Sequence, residues 1–275
     1  MDTSVFNKKY AEYWSNTIEK SVDGLKVPGL DLQAKYLSVI SNYFEGYEDP
    51  LQILDVGCCH GRNFELLKML NGQVHGIDIS QDIIQMASEK QYTSLKTAGM
   101  EDIPYPDNYF DFLYVWAVFD LVKHTKALIE ANRVMKIGAK ILLTGKSANY
   151  FSDDTAALVA ERNAKLKQFP HKFIDVNQLV SELPSLGYEV LNLYKFPRRG
   201  DLAENTSIDS SEQYYEFILI LEKRNQPLNN APKNFAYEFS YTAHNLSQSN
   251  GFGDVLGFFE QTDFISTIQN SVSGE

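Results

Sequence analysis

The 275-residue sequence predicts an α/β fold: a mostly parallel sheet with helices on both faces and an antiparallel hairpin at its C-terminal side. Three observations lead there. Short apolar runs recur at 51–56, 74–79, 110–116 and 139–144. The segments between them are about a dozen residues or longer and carry helical patterns, which parallel neighbours require. The last two apolar runs, 188–194 and 214–222, are joined by a polar stretch without helical pattern, which suits antiparallel strands.

Taken in order, Phe6 to Lys20 carries Tyr10, Tyr13 and Trp14. Leu32, Tyr36, Val39, Ile40 and Phe44 then repeat at helical spacing, so 6–46 is expected to hold two leading helices. A strand over Leu51–Val56 runs into a glycine turn, and Val74–Ile79 is the second strand. Ile83–Lys90 reads as a helix. The turn Pro104-Tyr105-Pro106-Asp107-Asn108 precedes a buried strand, Phe110–Trp116. A helix over Thr125–Lys136 and a strand over Ala139–Thr144 follow, then another amphipathic helix over Asp175–Leu186. Two segments break the alternation. Residues 146–172 insert a charged helix after Asp153-Asp154 on the substrate side of the sheet. In the tail 225–275, Phe235, Tyr237, Phe239 and Tyr241 alternate with small or polar residues, placing aromatics on one face of an extended strand. Residues 1–224 are thus one domain and 225–275 an aromatic-rich extension. That face is expected to pack on the body of the chain or on a second copy, a homodimer contact.

The chemistry begins at Leu51-Gln52-Ile53-Leu54-Asp55-Val56-Gly57-Cys58-Cys59-His60-Gly61-Arg62. Here a strand stops and side-chain-free backbone at Gly57 and Gly61 lets a ligand approach the free N–H groups of the next helix. Asp78 ends the second strand, where two carboxylate oxygens can accept both hydroxyls of a ribose. A dinucleotide site would need glycines two and five positions after Gly57, and those positions hold Cys59 and Arg62. The expected cofactor carries an adenosine but no pyrophosphate, which favours S-adenosylmethionine over NAD or FAD.

Composition narrows the partners. A formal net charge of -11, with no basic run longer than a pair such as Arg198-Arg199, argues against nucleic acid. No window reaches the roughly eighteen apolar residues that span a bilayer, and the first residues lack the apolar stretch of a signal peptide, so a cytoplasmic protein is expected. Two adjacent cysteines, Cys58 and Cys59, form neither a disulfide framework nor a zinc site; they read as small buried thiols, and no metal is expected.

These residues resemble the class I S-adenosylmethionine-dependent methyltransferases, in particular the small-molecule group with the pattern Leu-Asp-Val-Gly-Cys-Gly-x-Gly. The resemblance runs from about Tyr36 to Lys223 and includes Gly76-Ile77-Asp78-Ile79-Ser80, Glu101-Asp102-Ile103-Pro104-Tyr105 through Asp111, and Arg133-Val134-Met135-Lys136-Ile137-Gly138-Ala139. It implies a Rossmann-like, seven-stranded, mostly parallel sheet and methyl transfer to a small-molecule acceptor. By position it implies that Asp55, Gly57, Cys59 and Gly61 surround the methionine part. Asp78 would hold the ribose, Ile79 would cover one face of the adenine, and Met100 with Glu101 would meet its edge. Trp116 would end the fourth strand beside the sulfonium, and Tyr13 would belong to a lid formed by the leading helix. Two positions depart from the family: Cys59 stands at its second glycine, and Gly99 where an acidic residue often meets the adenine amino group.

Methyl transfer from a sulfonium needs alignment more than acid–base chemistry. A hydroxyl acceptor gains from a base, and Asp120, His124 and His171 are the candidates. The polar and aromatic stretch Ser147-Ala148-Asn149-Tyr150-Phe151 is expected to face a small polar acceptor such as a sugar. The rival readings are a methyltransferase fold that binds with impaired or lost catalysis, and a methyltransferase acting on protein or tRNA.

Overall fold

The computed structural model describes residues 3–20, 30–169, 171–204, 212–227 and 236–238. Two leading helices, α1 (Thr3–Lys20) and α2 (Leu30–Asn42), precede β1 (Leu51–Val56), α3 (Phe64–Lys68), β2 (Gly72–Asp78), α4 (Gln81–Ala87), β3 (Ser94–Thr97) and β4 (Phe110–Val115). Then come α5 (His124–Val134), β5 (Met135–Lys146), α6 (Thr155–Leu166), β6 (Lys172–Ile174) and α7 (Val176–Glu182). The described chain closes with β7 (Tyr188–Phe196), α8 (Asp201–Glu204), β8 (Glu216–Lys223) and β9 (Ala236–Glu238).

Seven strands form one sheet in the order β3-β2-β1-β4-β5-β8-β7. The first five pair in parallel, and β8 enters antiparallel between β5 and β7, with Lys140 opposite Glu222 and Lys146 opposite Glu216. The expected Rossmann-like sheet and its C-terminal antiparallel pair are therefore present. Chain order reverses between β1 and β4, and at such a switch point the carboxyl ends of the strands leave a crevice.

The sheet carries a core on each face. Strand alternation sends Leu113 and Val115 into one, with Leu54, Val56, Met100, Leu143 and Leu219, and sends Phe112, Tyr114 and Trp116 into the other, with Ile53, Leu142 and Ile220. All six residues of β4 are buried, as a strand covered on both faces must be.

Several boundaries differ from expectation. Helix α5 stops at Val134 and β5 starts at Met135, four residues before the expected Ala139, because Phe110 already pairs with Met135 ahead of a register shift. The helix expected over 175–186 is α7 followed by a 3-10 turn, Leu183–Leu186; Pro184 has no N–H to continue the α-helical ladder, and Gly187 closes the turn at φ 83°. β3, β6 and α3 escaped the sequence reading because each is only three to five residues long. Of the aromatic tail, Ala236–Glu238 pairs antiparallel with β6 of the same chain; Phe235, Phe239 and Tyr241 lie outside the described residues. Among the described residues no helix is long and apolar enough to cross a membrane, and no group of His, Cys, Asp or Glu could hold a metal ion. Both cysteines are free and buried.

Two polar anchors fix the loops around the site. Arg133 donates to the carbonyls of Tyr105 (2.9 Å) and Ile103 (2.8 Å) and pairs with Glu130 and Asp107, holding the 103–107 loop to α5. The buried Lys223 ammonium donates to Asn108 Oδ1, Asn132 O and Met135 O at 2.7–3.0 Å, stitching β8 to the start of β5. A buried charge surrounded by three acceptors satisfies its desolvation cost locally.

Candidate active site

The crevice is built from the turn after β1. Gly57 and Cys58 both donate N–H to Ile77 O (2.8 and 3.0 Å), which ends β1 against β2, and Gly61 donates to Cys58 O at 3.0 Å. Gly57 sits at φ 69°, and a Cβ there would lie 2.3 Å from Val118 Cγ2, so only glycine fits without displacement. Cys59 takes up a left-handed backbone at φ 52°, a conformation that disfavours a side chain. Its N–H donates to Asp78 Oδ2 at 3.1 Å. Ser80 N–H reaches Asp78 Oδ1 at 3.0 Å, while Ser80 Oγ caps α4 by accepting from Ile83 N–H. Burial raises the Asp78 carboxyl above its ordinary pKa, partly offset by these two N–H groups. Each oxygen holds one such bond and retains further acceptor capacity.

A pocket opens over this turn. Of the residues named from sequence, Gly57, Cys59, Asp78, Ile79, Met100 and Glu101 line it. Tyr10 and Trp14 of the leading helix line it too, in the place expected of a lid, and Arg62, Ile83, Val118 and Leu121 line it as well and were missed for this role. Arg62 donates from Nη2 to Trp116 O at 3.1 Å, and its Nε is buried with no hydrogen-bond partner. The sequence signal was present: a cation directly after a glycine turn, where an anionic end of a ligand would lie. Tyr10 and Trp14 come from α1, whose Ser15 Oγ is 2.9 Å from Ser80 Oγ.

Four named positions do not line the pocket. Asp55 is fully buried beneath it, accepting from Tyr92 Oη at 2.8 Å, with Oδ1 unpartnered; burial pushes its carboxyl up to about 6. Gly61 shapes the turn at φ 83° without reaching the pocket. Trp116 follows directly after the fourth strand, which ends at Val115, and its ring stacks on Tyr114 (5.8 Å between centroids, 9° between planes) in the core of the opposite sheet face. Ala117 and Val118 occupy the pocket side instead. Tyr13 points along α1 into an aromatic group with Tyr10, Trp14 and Phe169.

Of the three candidate bases, two come together and one does not. Asp120, in the 3-10 turn Phe119–Leu121, lies 4.0 Å from His171 Nε2 and 3.3 Å from Lys146 Nζ. His171 Nδ1 lies 2.7 Å from Glu161 Oε2, and Lys146 Nζ is 2.9 Å from Glu161 Oε1. Tyr215 Oη donates a short hydrogen bond to the same Oε1. Although burial opposes ionisation of Glu161, His171, Lys146 and Tyr215 together hold its carboxyl down at about 2. His124 is elsewhere: its ring packs on Phe119 at 4.7 Å, both nitrogens are buried without a partner, and burial lowers its pKa to about 4. It belongs to the apolar core, where a neutral imidazole is the stable form. Lys146, Glu161 and Tyr215 went unnamed in the sequence reading. None of the cluster residues lines the pocket; Leu121, which does, is next to Asp120 in sequence, and Tyr10 of the pocket packs its ring on Phe169 at 5.0 Å.

A family model described as a methyltransferase domain matches residues 54–143. The chain is similar to an uncharacterized protein of Methanocaldococcus jannaschii, 29% identical over 50% of this chain and 63% of that one. It is also similar to a demethylmenaquinone methyltransferase of Symbiobacterium thermophilum, 30% identical over 33% of this chain and 40% of that one. The matched stretches thus span less than two thirds of either relative. Among solved structures, a SAM-dependent methyltransferase from Archaeoglobus fulgidus superposes with a TM-score of 0.53 at 19% identity, covering 71% of this chain and 95% of that one.

The sheet order and switch-point pocket are those of the fold seen in solved S-adenosylmethionine-dependent methyltransferases, and residues 54–143 match a methyltransferase domain.

Proposed function

We propose that this chain binds S-adenosylmethionine in the pocket over the Gly57 turn and transfers its methyl group to a small polar acceptor, a hydroxyl of a sugar or similar metabolite. The observation that carries the reading is the Asp78 carboxylate, half-buried at the end of β2 yet holding spare acceptor capacity, beside a turn where Gly57 leaves no room for a side chain. The residues present suit the cofactor. Asp78 would take the ribose hydroxyls, and Ile79 and Met100 would flank the adenine. Glu101, whose Oε1 already accepts Lys123 N–H at 3.0 Å, would offer its carboxylate to the adenine amino group in place of the acid missing at Gly99. Arg62 would pair with the methionine carboxylate through a guanidinium that has an unpartnered N–H. When bound, the cofactor supplies a methyl group on a sulfonium whose leaving group is a neutral thioether. The protein's task is then to align the acceptor and exclude water.

Calorimetric titration with S-adenosylmethionine and S-adenosylhomocysteine tests this. Native protein is expected to bind both, and Asp78→Ala to bind about 10- to 100-fold more weakly, the effect of losing hydrogen bonds to an ionised group. Absence of binding by the native protein refutes the reading. The rival, a fold that has lost its cofactor, draws on Cys59 in its left-handed conformation; a large gain in affinity on Cys59→Gly would favour it.

A further inference from the structure

We propose that Asp55, which lies beneath the glycine turn and outside the pocket, makes the site prefer the cationic methyl donor to its neutral product by exchanging its own proton as the ligand's charge changes. This role rests on the methyltransferase reading. Tyr114 of β4 is the register partner of Asp55, so the two side chains share a face of the sheet. Tyr92 Oη donates to Asp55 Oδ2 at 2.8 Å. The other oxygen, Oδ1, has no partner, and neither do Arg62 Nε, Tyr114 Oη or the Nδ2 and Oδ1 of Asn63, all of them buried. These groups face one another: the Asp55 carboxyl is close to Arg62 and Asn63, and the Tyr114 hydroxyl to Asp55 and Arg62. They serve both forms of the carboxyl. Ionised, Oδ1 can accept from Arg62 Nε, Tyr114 Oη or Asn63 Nδ2; protonated, it can donate to Asn63 Oδ1. Of these four residues Arg62 alone also lines the pocket, so its guanidinium joins the buried group to the ligand.

The charges match the two ligands. At the pocket, Arg62 (+1) and Asp78 (-1) sum to zero, and the Glu101 carboxylate is faced by the Lys172 ammonium. Asp55 then decides whether the site is neutral or carries -1. S-adenosylmethionine bears a carboxylate, an ammonium and a sulfonium, net +1; S-adenosylhomocysteine has lost the sulfonium charge with the methyl group and is net zero. The ionised site complements the first, and the protonated site the second. Burial pushes the Asp55 carboxyl up to about 6, against the Tyr92 hydrogen bond and the Arg62 charge, so both forms are within reach near neutral pH. The other titratable groups facing it are Asp78 on β2, Tyr92 before β3, Tyr114 on β4, and Cys58 and Cys59 of the turn. Burial raises every one of them, which keeps the phenols and thiols neutral. An added positive charge favours the ionised form of a nearby carboxyl. Asp55 is therefore more fully ionised beside the sulfonium than beside the thioether, and the preference for the donor must rise with pH across the titration.

The test is calorimetric titration with S-adenosylmethionine and with S-adenosylhomocysteine from about pH 5 to about pH 7, in buffers of different ionisation enthalpy. In the native protein the ratio of the two dissociation constants is expected to move about three- to tenfold toward the donor over that range, the size of one charge felt across a protein interior. At about pH 6, donor binding should release more protons than product binding. Asp55→Asn keeps an acceptor for Tyr92 and cannot ionise, so the ratio should stay flat and the two proton counts should agree. A ratio that is flat in the native protein, or that climbs as steeply in Asp55→Asn, overturns the role of Asp55. Should that variant fail to fold, Tyr92→Phe decides: losing the bond that favours the ionised carboxyl moves the rise to higher pH, and an unmoved rise overturns the role. Failure of the native protein to bind either ligand removes the methyltransferase reading, whereas binding of both at a pH-independent ratio removes only the role of Asp55.

Discussion

The glycine turn at the pocket and the charged cluster around Glu161 are built from different materials. The Gly57–Asp78 turn is made of backbone: two N–H groups on one carboxylate, a glycine packed on Val118, and apolar walls. The Asp120–His171 cluster is made of ionised side chains from four separate segments, namely the turn after β4, the end of β5, α6 and the residue before β6. Backbone geometry tolerates little change of residue but is specified locally. A charged network tolerates rearrangement, yet each member depends on the others, because removing one leaves its partner buried and uncompensated.

Breaking the network should give the largest effect. Glu161→Leu removes the acceptor shared by Lys146, His171 and Tyr215 and leaves the Lys146 ammonium, 10% exposed, with Asp120 as its counter-charge; it is expected to cost about 3–5 kcal/mol in denaturant unfolding, and a loss below about 1 kcal/mol would mean that the charges are not coupled. Acid should do the same more gradually. Glu161 has a folded pKa near 2, below its unfolded value, so its contribution is present above the ordinary glutamate range and is lost as pH falls toward 2. That loss is on the order of 3 kcal/mol, and the unfolding free energy of Glu161→Gln should fall less steeply over the same window. Asp55 acts oppositely. Its pKa, raised to about 6, makes stability fall as pH rises from the unfolded value through 6, so the two limbs separate on one pH titration.

At the glycine turn, Gly57→Ala must hold a Cβ at positive φ and push Val118 aside. The expected cost is about 2–4 kcal/mol by thermal unfolding, with weaker S-adenosylhomocysteine binding. The smallest effect belongs to Cys59→Gly. Relief of a left-handed residue, about 1–2 kcal/mol, is set against the entropy of glycine, about 0.5–1 kcal/mol, and a lost buried thiol, so stability should move by less than about 1 kcal/mol. A larger shift would show that the turn is strained beyond its φ angle.

The same contrast governs what could be read in advance. Gly57 and Asp78 were legible because a strand, a turn and the next strand specify them within a short span, whereas Met100 was reached only through the family resemblance. Strand parity also held the answer for Trp116: two residues from Tyr114, it must share Tyr114's face, away from Leu113 and Val115. Asp120 and His171 were legible as residue types and not as a pair. Glu161 sat in a charged helix whose pattern resembles a solvated face, and its burial depends on β5 and Tyr215 arriving from elsewhere in the chain. His124 was misplaced because nothing local distinguishes an imidazole packed on Phe119 from one facing a ligand.

The insertion of β8 between β5 and β7 also sets an order of events during synthesis. A chain made from its N-terminus carries β5 with one side unpaired until Glu216–Lys223 arrives, and β7, though made earlier, has no place in the sheet before then. Meanwhile an apolar strand lies open to pairing with other nascent chains, an aggregation hazard that ends only when β8 docks. A ribosome stalled before residue 216 would therefore hold a chain whose first five strands can assemble and whose sheet cannot close.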